Sequence, residues 1–480
     1  MKKVTLLLLI YFVLITNIFA QGFGSSGAIN AKNISLGGTN AVSARGVYAI
    51  GVNPANLVVD QDHKIEISSI LPLPTINLSI GNDFITLEDY QYFFTGVEGD
   101  NGEISGKYLN NSEKNKFLNL FENGSMVNTN LGTTLLSFSF YPSKELGAFG
   151  FSIQDLSSAK FSLPKQIFEL VLFGNETGKV FELNDMDVQA WYLRNYSITY
   201  SRDLSKYFPD AFRFFSAGIS LKMVQGFFYA GVDKINTTLE TLPNYNIGVN
   251  GDSRMLIAAS TDFGMVYDFE DDTVERESNV GLFNSPAGVG FATDLGFYAE
   301  LNKAWSIAFA LTDLGSINWN EGTAEYSSNG SLILDDVTDE TLVDSLVDVI
   351  TGEGKYTDAF STPLSTAMKI GVGFKVEKYF KGNFPGEMLI ELNYHQGFNN
   401  MPANSTIPRF SLGAEWMPSN WFRLRSGISV GGYDDFNWAF GLGFDAGIVD
   451  FDLATAYTNS YFNGNSAKRI GLAISSRWTF

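Results

Sequence analysis

The chain has 480 residues and a formal net charge of −20, with 18% charged and 14% aromatic residues, 41 Phe, 47 Gly and no Cys. Without cysteine there can be no disulfide, no thiolate metal site and no lipid-modified lipoprotein N-terminus, and the acidic balance speaks against nucleic acid as a partner, since phosphate binding needs a basic face. A soluble multidomain chain of this length carries more charge and fewer Phe, whereas an apolar belt, aromatic girdles, acidic loops and a polar lumen give this mixture.

Lys2 and Lys3, an apolar run over Leu6 to Ile15, and Ala20 before Gln21 form the charged start, short apolar core and small residue of a secretory signal peptide over 1–20. The run is too short to span a bilayer comfortably as a helix. Residues 21–60 then show no alternation. They read Ser25-Ser26-Gly27, Ser35-Leu36-Gly37-Gly38-Thr39 and Val52-Asn53-Pro54-Ala55-Asn56-Leu57. Small side chains predominate, with one fixed turn at Pro54, whose ring pushes Asn53 out of the helical region. Such a segment can thread a crowded lumen, and the competing expectation is a disordered leader.

From Ile65 and Ile67 onward a period of two recurs. It is read at Leu136/Phe138/Phe140, Phe149/Phe151/Ile153, Tyr196/Ile198/Tyr200, Ile219/Leu221/Met223 and Trp305/Ile307/Phe309/Leu311. It continues at Ile370/Val372/Phe374, Phe422/Leu424/Ile428/Val430, Phe436/Trp438/Phe440/Leu442/Phe444, Val449/Phe451/Leu453/Tyr457 and Ile470/Leu472/Ile474. Successive strand side chains point to opposite faces, so each run has one apolar face. The other face is Gly, Ala and Ser with charges such as Lys375, Glu391, Arg423 and Arg425. Two insertions break the pattern. Leu87, Tyr90, Phe93, Phe94, Phe117, Leu118 and Phe121 fall at helical spacing near 85–124, as do Leu342, Leu346, Val347 and Ile350 near 335–352. The chain ends on Trp478-Thr479-Phe480, the aromatic close common to barrels inserted by the barrel-assembly machinery.

A soluble sandwich also alternates, but this much Phe on one face would meet water as a large apolar patch. In lipid the backbone must satisfy itself, so the strands must close. The reading is an all-β fold: a transmembrane antiparallel β-barrel of about 14 strands over 61–480, even-numbered as such barrels are, with an N-terminal plug over 21–60. Its place is the bacterial outer membrane and its first partner is membrane lipid.

The order of a Ser-rich start, Leu36-Gly37-Gly38, about fifteen residues, then Asn53-Pro54-Ala55 resembles the N-terminal hatch of the long-chain fatty acid outer-membrane transporter family. It is also similar to related barrels that act as carrier and anchoring components of type IX secretion. The resemblance implies that 21–60 plugs a fourteen-stranded barrel, with Gly37, Gly38, Asn53, Pro54 and Ala55 as hatch residues and Trp478 and Phe480 as the assembly signal. Leu87-Glu88-Asp89-Tyr90 and the Phe173-Gly174-Asn175 region resemble a branch of these barrels with no assigned activity. The chain departs from the transporters in its long acidic loop at 330–360 and in showing no evident apolar surface-loop cluster, which does not favour fatty acid as the ligand.

Chemistry is sparse. Only His63 and His395 occur, and His395 alternates with Glu391 and Asn393 toward the expected lumen. A Ser–His hydrolase needs an oriented pair, and no local signature supplies one. Asp268-Phe269-Glu270-Asp271-Asp272 lacks the spacing and turn glycine of a calcium loop and reads as a solvated run. No catalytic residue, metal or cofactor is expected. The expected function is a passive channel for small, hydrophobic molecules; the alternative is a barrel that anchors or escorts a secreted protein.

Overall fold

The computed structural model describes residues 29–480 apart from 61–62, 99–103, 123, 175, 244–245, 270–272, 277–280, 282, 335–351, 381–383 and 434–435. The expected signal peptide and nearly all of the second helical insertion therefore lie outside the described residues.

The alternating runs form fourteen antiparallel strands that close into one ring. The first, β1, has two segments, Ile65–Ser69 and Thr75–Asn82. Then come β2 (Val127–Ser143), β3 (Gly147–Ser162), β4 (Asp187–Asp203), β5 (Phe214–Ile235), β6 (Gly288–Glu300) and β7 (Trp305–Trp319). β8 is again split, into Phe360–Pro363 and Ala367–Lys375. β9 (Glu387–Gly397), β10 (Arg409–Ser419), β11 (Phe422–Gly431), β12 (Phe436–Asp445), β13 (Val449–Ala456) and β14 (Arg469–Thr479) complete the wall. Each pairs with its neighbour in sequence, and β14 returns to β1 through Ile67↔Trp478 and Ile76↔Ile474.

One end of the ring has tight connections, such as Ser143 to Gly147 and Asp445 to Val449, while the other carries the long ones between Asn82 and Val127 or Ile235 and Gly288. Short turns mark the periplasmic end of an outer-membrane barrel and long loops its outer end. At the outer end β5 outruns the wall. Its residues from Phe228 to Ile235 pair with Ile247–Ala259, which pairs with Ala324–Leu334, which pairs in turn with Glu353–Tyr356. The result is a sheet standing beyond the barrel mouth.

Burial follows the pleat, inverted with respect to a soluble sheet. On β14, Ile470 and Leu472 are about half exposed while Arg469, Gly471, Ala473 and Ser475 are buried. A side chain pointing out of the ring meets lipid, so apolar residues belong there and polar ones turn in, where they must find partners. They do: Lys222 lies between Asp294 and Asp313 at 2.7 Å from each, and Arg425 sits between Glu415 and Asp452. One expected face is corrected. Tyr457 does not continue the outward row of β13, because the strand stops at Ala456. Tyr457 takes a left-handed φ of 51° and its side chain is buried instead.

Candidate functional site

The lumen is filled by the segment that precedes β1. Every described residue from Ile29 to Val59 is buried except Lys32 and Arg45, which are half-buried. It holds little regular structure: a five-residue helix, α1 (Ala31–Ser35), capped by the Asn30 side chain, and two 3-10 turns at Gly46–Ala49 and Pro54–Val58. A segment this irregular leaves most backbone N–H groups without partners of their own, and buried ones must be satisfied from outside. The wall satisfies several of them. Val42 and Ser43 N–H donate to the Glu391 carboxylate at 2.7 and 2.9 Å, and Ala41 N–H donates to Asn393 Oδ1 at 2.9 Å. Val47 N–H donates to Glu66 at 2.9 Å and Ala31 N–H to Ser475 Oγ at 2.8 Å. Lys32 donates to Glu415 at 3.0 Å, tying the plug to the Arg425 cluster.

The expected hatch residues all lie in this segment. Gly37 and Gly38 turn the chain after α1 with φ of 67° and 80°, a conformation that only glycine adopts freely. Gly37 also lies against the backbone of Gly427 and Ile428 on β11, and a Cβ on Gly427 would collide with Leu36 and Gly37. Asn53 caps the second 3-10 turn through Ala55 N–H at 3.1 Å, and its amide donates to Ala41 O at 3.1 Å and Phe297 O at 3.3 Å. Pro54 opens that turn, where its missing N–H costs nothing. Ala55 O accepts from Ser201 Oγ and Ser216 Oγ, each at 2.9 Å. Around this bend the wall carries Gly218 and Gly296, because a Cβ at either would collide with Asn53, Pro54 or Ala55. Trp478 and Phe480 lie elsewhere, stacked at 6.5 Å and 4° on the outer face at the periplasmic end. Asp60, at the exit of the plug, is held below the usual carboxylate range by Arg45 and Lys375, although burial pushes it up.

A second obstruction comes from the outer end. The connection between β9 and β10 folds inward, burying Met401, Asn404 and Ser405. Asn399 and Asn404 amides donate to Leu364 O at 2.7 Å and Thr366 O at 3.0 Å. His395 faces inward, beside Asn404.

Two features escaped the sequence reading. The outer loops do carry an apolar cluster. Helices α2 (Leu87–Phe94), α3 (Asn111–Asn119) and α4 (Lys165–Phe173) bring Phe93, Phe117, Phe121 and Phe168 together, with Phe121 and Phe168 stacked at 3.9 Å. The cluster was illegible because Phe168 comes from a different loop and meets the others only after closure. Residues Val171, Tyr90 and Phe94 leave apolar surface at its edge exposed. Below it, Glu113 at the head of α3 is pulled down to about 2 by the Asn110 backbone N–H, with Tyr92 and Lys107 adding to this.

The other feature is in β1. Ile70, Leu71, Pro72, Leu73 and Pro74 swing out of the wall, so that five residues stand opposite Leu135 alone on β2. On the β14 side the ladder skips Ser475, Ser476 and Arg477 altogether. Ile70 and Leu71 are more than half exposed on the outer face. In lipid such a detour survives only if its backbone is satisfied. Pro72 and Pro74 have no N–H, Leu71 N–H donates to Ser69 Oγ, Leu73 N–H donates to Ser476 Oγ, and Trp478 Nε1 donates to Leu71 O at 3.2 Å. Inside, the neck of the detour is closed by a 2.8 Å hydrogen bond between Ser68 and Thr75 hydroxyls. Directly behind it lies a cavity of about 10 Å³, room for one water, between wall and plug, lined by Ile29, Val47, Tyr48 and Ile50 and by polar groups that include Asn30, Thr134 and Gln154. Two prolines spaced by one residue inside an alternating run were the available signal.

A family model spans residues 54–456, from the plug bend to the end of β13. The chain belongs to the family of unknown function DUF5723. No curated protein matches it. Among solved structures, this DUF5723 member is similar to the Pseudomonas putida toluene transporter TodX at 11% identity, covering 96% of this chain and 99% of that one with a TM-score of 0.46. It is similar to the monoaromatic hydrocarbon channel CymD at 10% identity, covering 95% and 98%, TM-score 0.34. The translocator domain of the Neisseria meningitidis autotransporter NalP matches at 5% identity over 88% and 91%, TM-score 0.33. The architecture of the DUF5723 chain rests on its own closed ring.

Proposed function

We propose that the chain is a bacterial outer-membrane channel for passive uptake of small, hydrophobic molecules, with residues 21–60 as its hatch. The observation that carries this reading is the detour of β1, whose neck is closed on the inside by the Ser68–Thr75 hydroxyl pair. Val47, Tyr48 and Ile50 of the plug lie behind it, so a solute admitted there by a shift of the plug would be one hydroxyl pair away from the outer face. Leaving sideways through Ser68 and Thr75 keeps it out of water. The exposed aromatic edge of α2 and α4 offers such solutes a landing surface at the outer mouth. Barrel-assembly machinery and lipid are its general partners.

The chain has no cysteine, so a Ser68→Cys, Thr75→Cys pair tests the path cleanly. Oxidation is expected to lower flux of an apolar solute such as toluene into liposomes, and reductant to restore it, with a hydrophilic solute unaffected. Equal flux in the oxidised and reduced states sinks the lateral path.

One observation favours a second reading. The sheet beyond the mouth has its outer strands at Val180–Glu182 and Glu353–Tyr356, and an extended chain can add to such an edge through main-chain hydrogen bonds. On that reading the barrel anchors or escorts a secreted or surface protein.

A further inference from the structure

The in-folded outer loop, between β9 and β10, covers a row of side chains that runs straight across three strands. Lys369 on β8 stands opposite His395 on β9, and His395 stands opposite Arg409 on β10. All three are buried on the inner face. Directly opposed residues on antiparallel strands bring their Cβ atoms to about 4.5–5.5 Å, close enough for like charges to destabilise the pairing. The outer members of the row are a lysine and an arginine. The middle one is an imidazole, the side chain whose charge changes between about pH 5 and 8. A neutral ring fits between two cations, whereas a proton on it makes three like charges side by side.

The surroundings do little to offset that third charge. His395 lines a space of about 30 Å³, room for two or three waters. Lys160 of β3 and Tyr433 beyond β11 are the other titratable groups that share this space with Arg409, β2 adds the amides of Asn128 and Asn130, and the loop adds Asn404 and Ser405. No carboxylate lines it among the described residues. Asp187 is paired with Lys160 at 2.5 Å, while Asp294 and Asp313 act on Lys369 and are bridged by Lys222. On the plug side Lys369 meets the neutral Asn40.

The loop itself is fastened to the split in β8. Besides the Asn399 and Asn404 amides, Ser365 Oγ donates to Pro402 O at 2.8 Å, and Met401 packs into an apolar cluster with Trp191 and Trp319. Asn404 thus holds the wall while lying beside the His395 ring. Its neighbour Ala403 is kept at a φ of 63°, a left-handed conformation that costs an alanine free energy. The docked loop carries strain and covers the ring.

We propose that this loop is an acid-released lid, lifted from the mouth when His395 takes up a proton. Lifting opens the row to water, which screens the added charge. The lifted state binds the proton more readily, so the docked state loses stability as pH falls below about 6.5, by at most about tenfold in population per pH unit. The proposal goes beyond uptake of hydrophobic molecules and does not rest on it, since lifting is read without flux.

The test uses the full mature chain in detergent. With no native cysteine, Ile407→Cys at an exposed loop position takes a single nitroxide label, whose mobile and immobile spectral components report the lifted and docked loop. Their ratio is expected to rise about tenfold or more between about pH 7.5 and about pH 5. His63→Gln, which changes the one other histidine, is expected to keep the full rise, and His395→Gln to abolish it. His395→Asn serves if His395→Gln does not assemble. Arg409→Gln is expected to shrink the rise by taking one like charge from the row. No rise in the labelled parent, a rise that persists in an assembled His395 variant or is lost in His63→Gln, or a full rise in Arg409→Gln overturns the proposal.

Discussion

The plug and the in-folded outer loop both obstruct the lumen, but they are held in opposite senses. The plug presents backbone N–H groups to side chains of the wall, at Glu391, Asn393, Glu66 and Ser475. The loop presents its own side chains, Asn399 and Asn404, chiefly to backbone carbonyls at the split in β8. A segment gripped by its backbone is constrained in size more than in identity. One gripping through its side chains is fixed by them. The plug is thus released by altering the wall, the loop by altering itself.

The largest test of this difference removes the plug. Deleting 22–57 while keeping the signal peptide is expected to leave a heat-modifiable barrel, because the strands and both terminal aromatics lie beyond the deletion. Small-solute conductance should then rise well above that of the intact chain. Unchanged conductance in an assembled deletion mutant would mean that the outer loop alone sets the barrier.

Next in size is Glu391→Ala. It strands Val42 and Ser43 N–H groups in a buried site, which costs on the order of 2–5 kcal/mol of plug docking. Hydrogen exchange should quicken across the plug while the wall keeps its heat-modifiable mobility, and Glu391→Gln, which keeps one acceptor, should recover part of the protection. Asn404→Ala should cost about 1–2 kcal/mol, seen as faster exchange in the outer loop with the plug unchanged. Equal loosening of both segments would show that they move as one body. Pro54→Ala is the mildest change, about 0.4–1 kcal/mol through a freer unfolded chain. It should appear only as slightly raised protease sensitivity at the bend.

The wall was legible in the sequence because each strand states its own two faces. Rows such as Phe436 to Phe444 needed no partner to be read, and counting them gives about fourteen, between twelve and sixteen, where the ring has fourteen. What crosses the lumen was not legible. Gly443 shows why. Alternation turns it inward, but a Cβ there runs into the Arg425–Asp452 pair. That pair joins β11 to β13, and Lys32 of the plug joins it through Glu415 on β10. Partnerships across a ring depend on closure and shear, which no local period encodes. For the same reason the small residues of 21–60 marked a segment fit for a lumen, while of the anchors that hold it Glu391 read only as an inward charge and Glu66 was not singled out. The detour at Ile70–Pro74 interrupts the period, so nothing local marks it as part of one strand.

The break in the ladder between β1 and β14 also bears on how the barrel is made. Every other neighbouring pair in the wall is joined by a connection and can zip as the chain emerges. The joint between first and last strands must wait for β14. It forms from two stretches of ladder, at Glu66–Ile67 and at Ile76–Gly81, with Ser475–Arg477 unpaired between them. Trp478 stands next to that interval and holds Leu71 from the outside. The aromatic terminus therefore completes the ring and at the same moment fastens the detour from the β14 side. Ser68 and Thr75 both belong to β1 and can pair before closure, whereas the contacts of Ser476 and Trp478 with Leu73 and Leu71 exist only once insertion is finished.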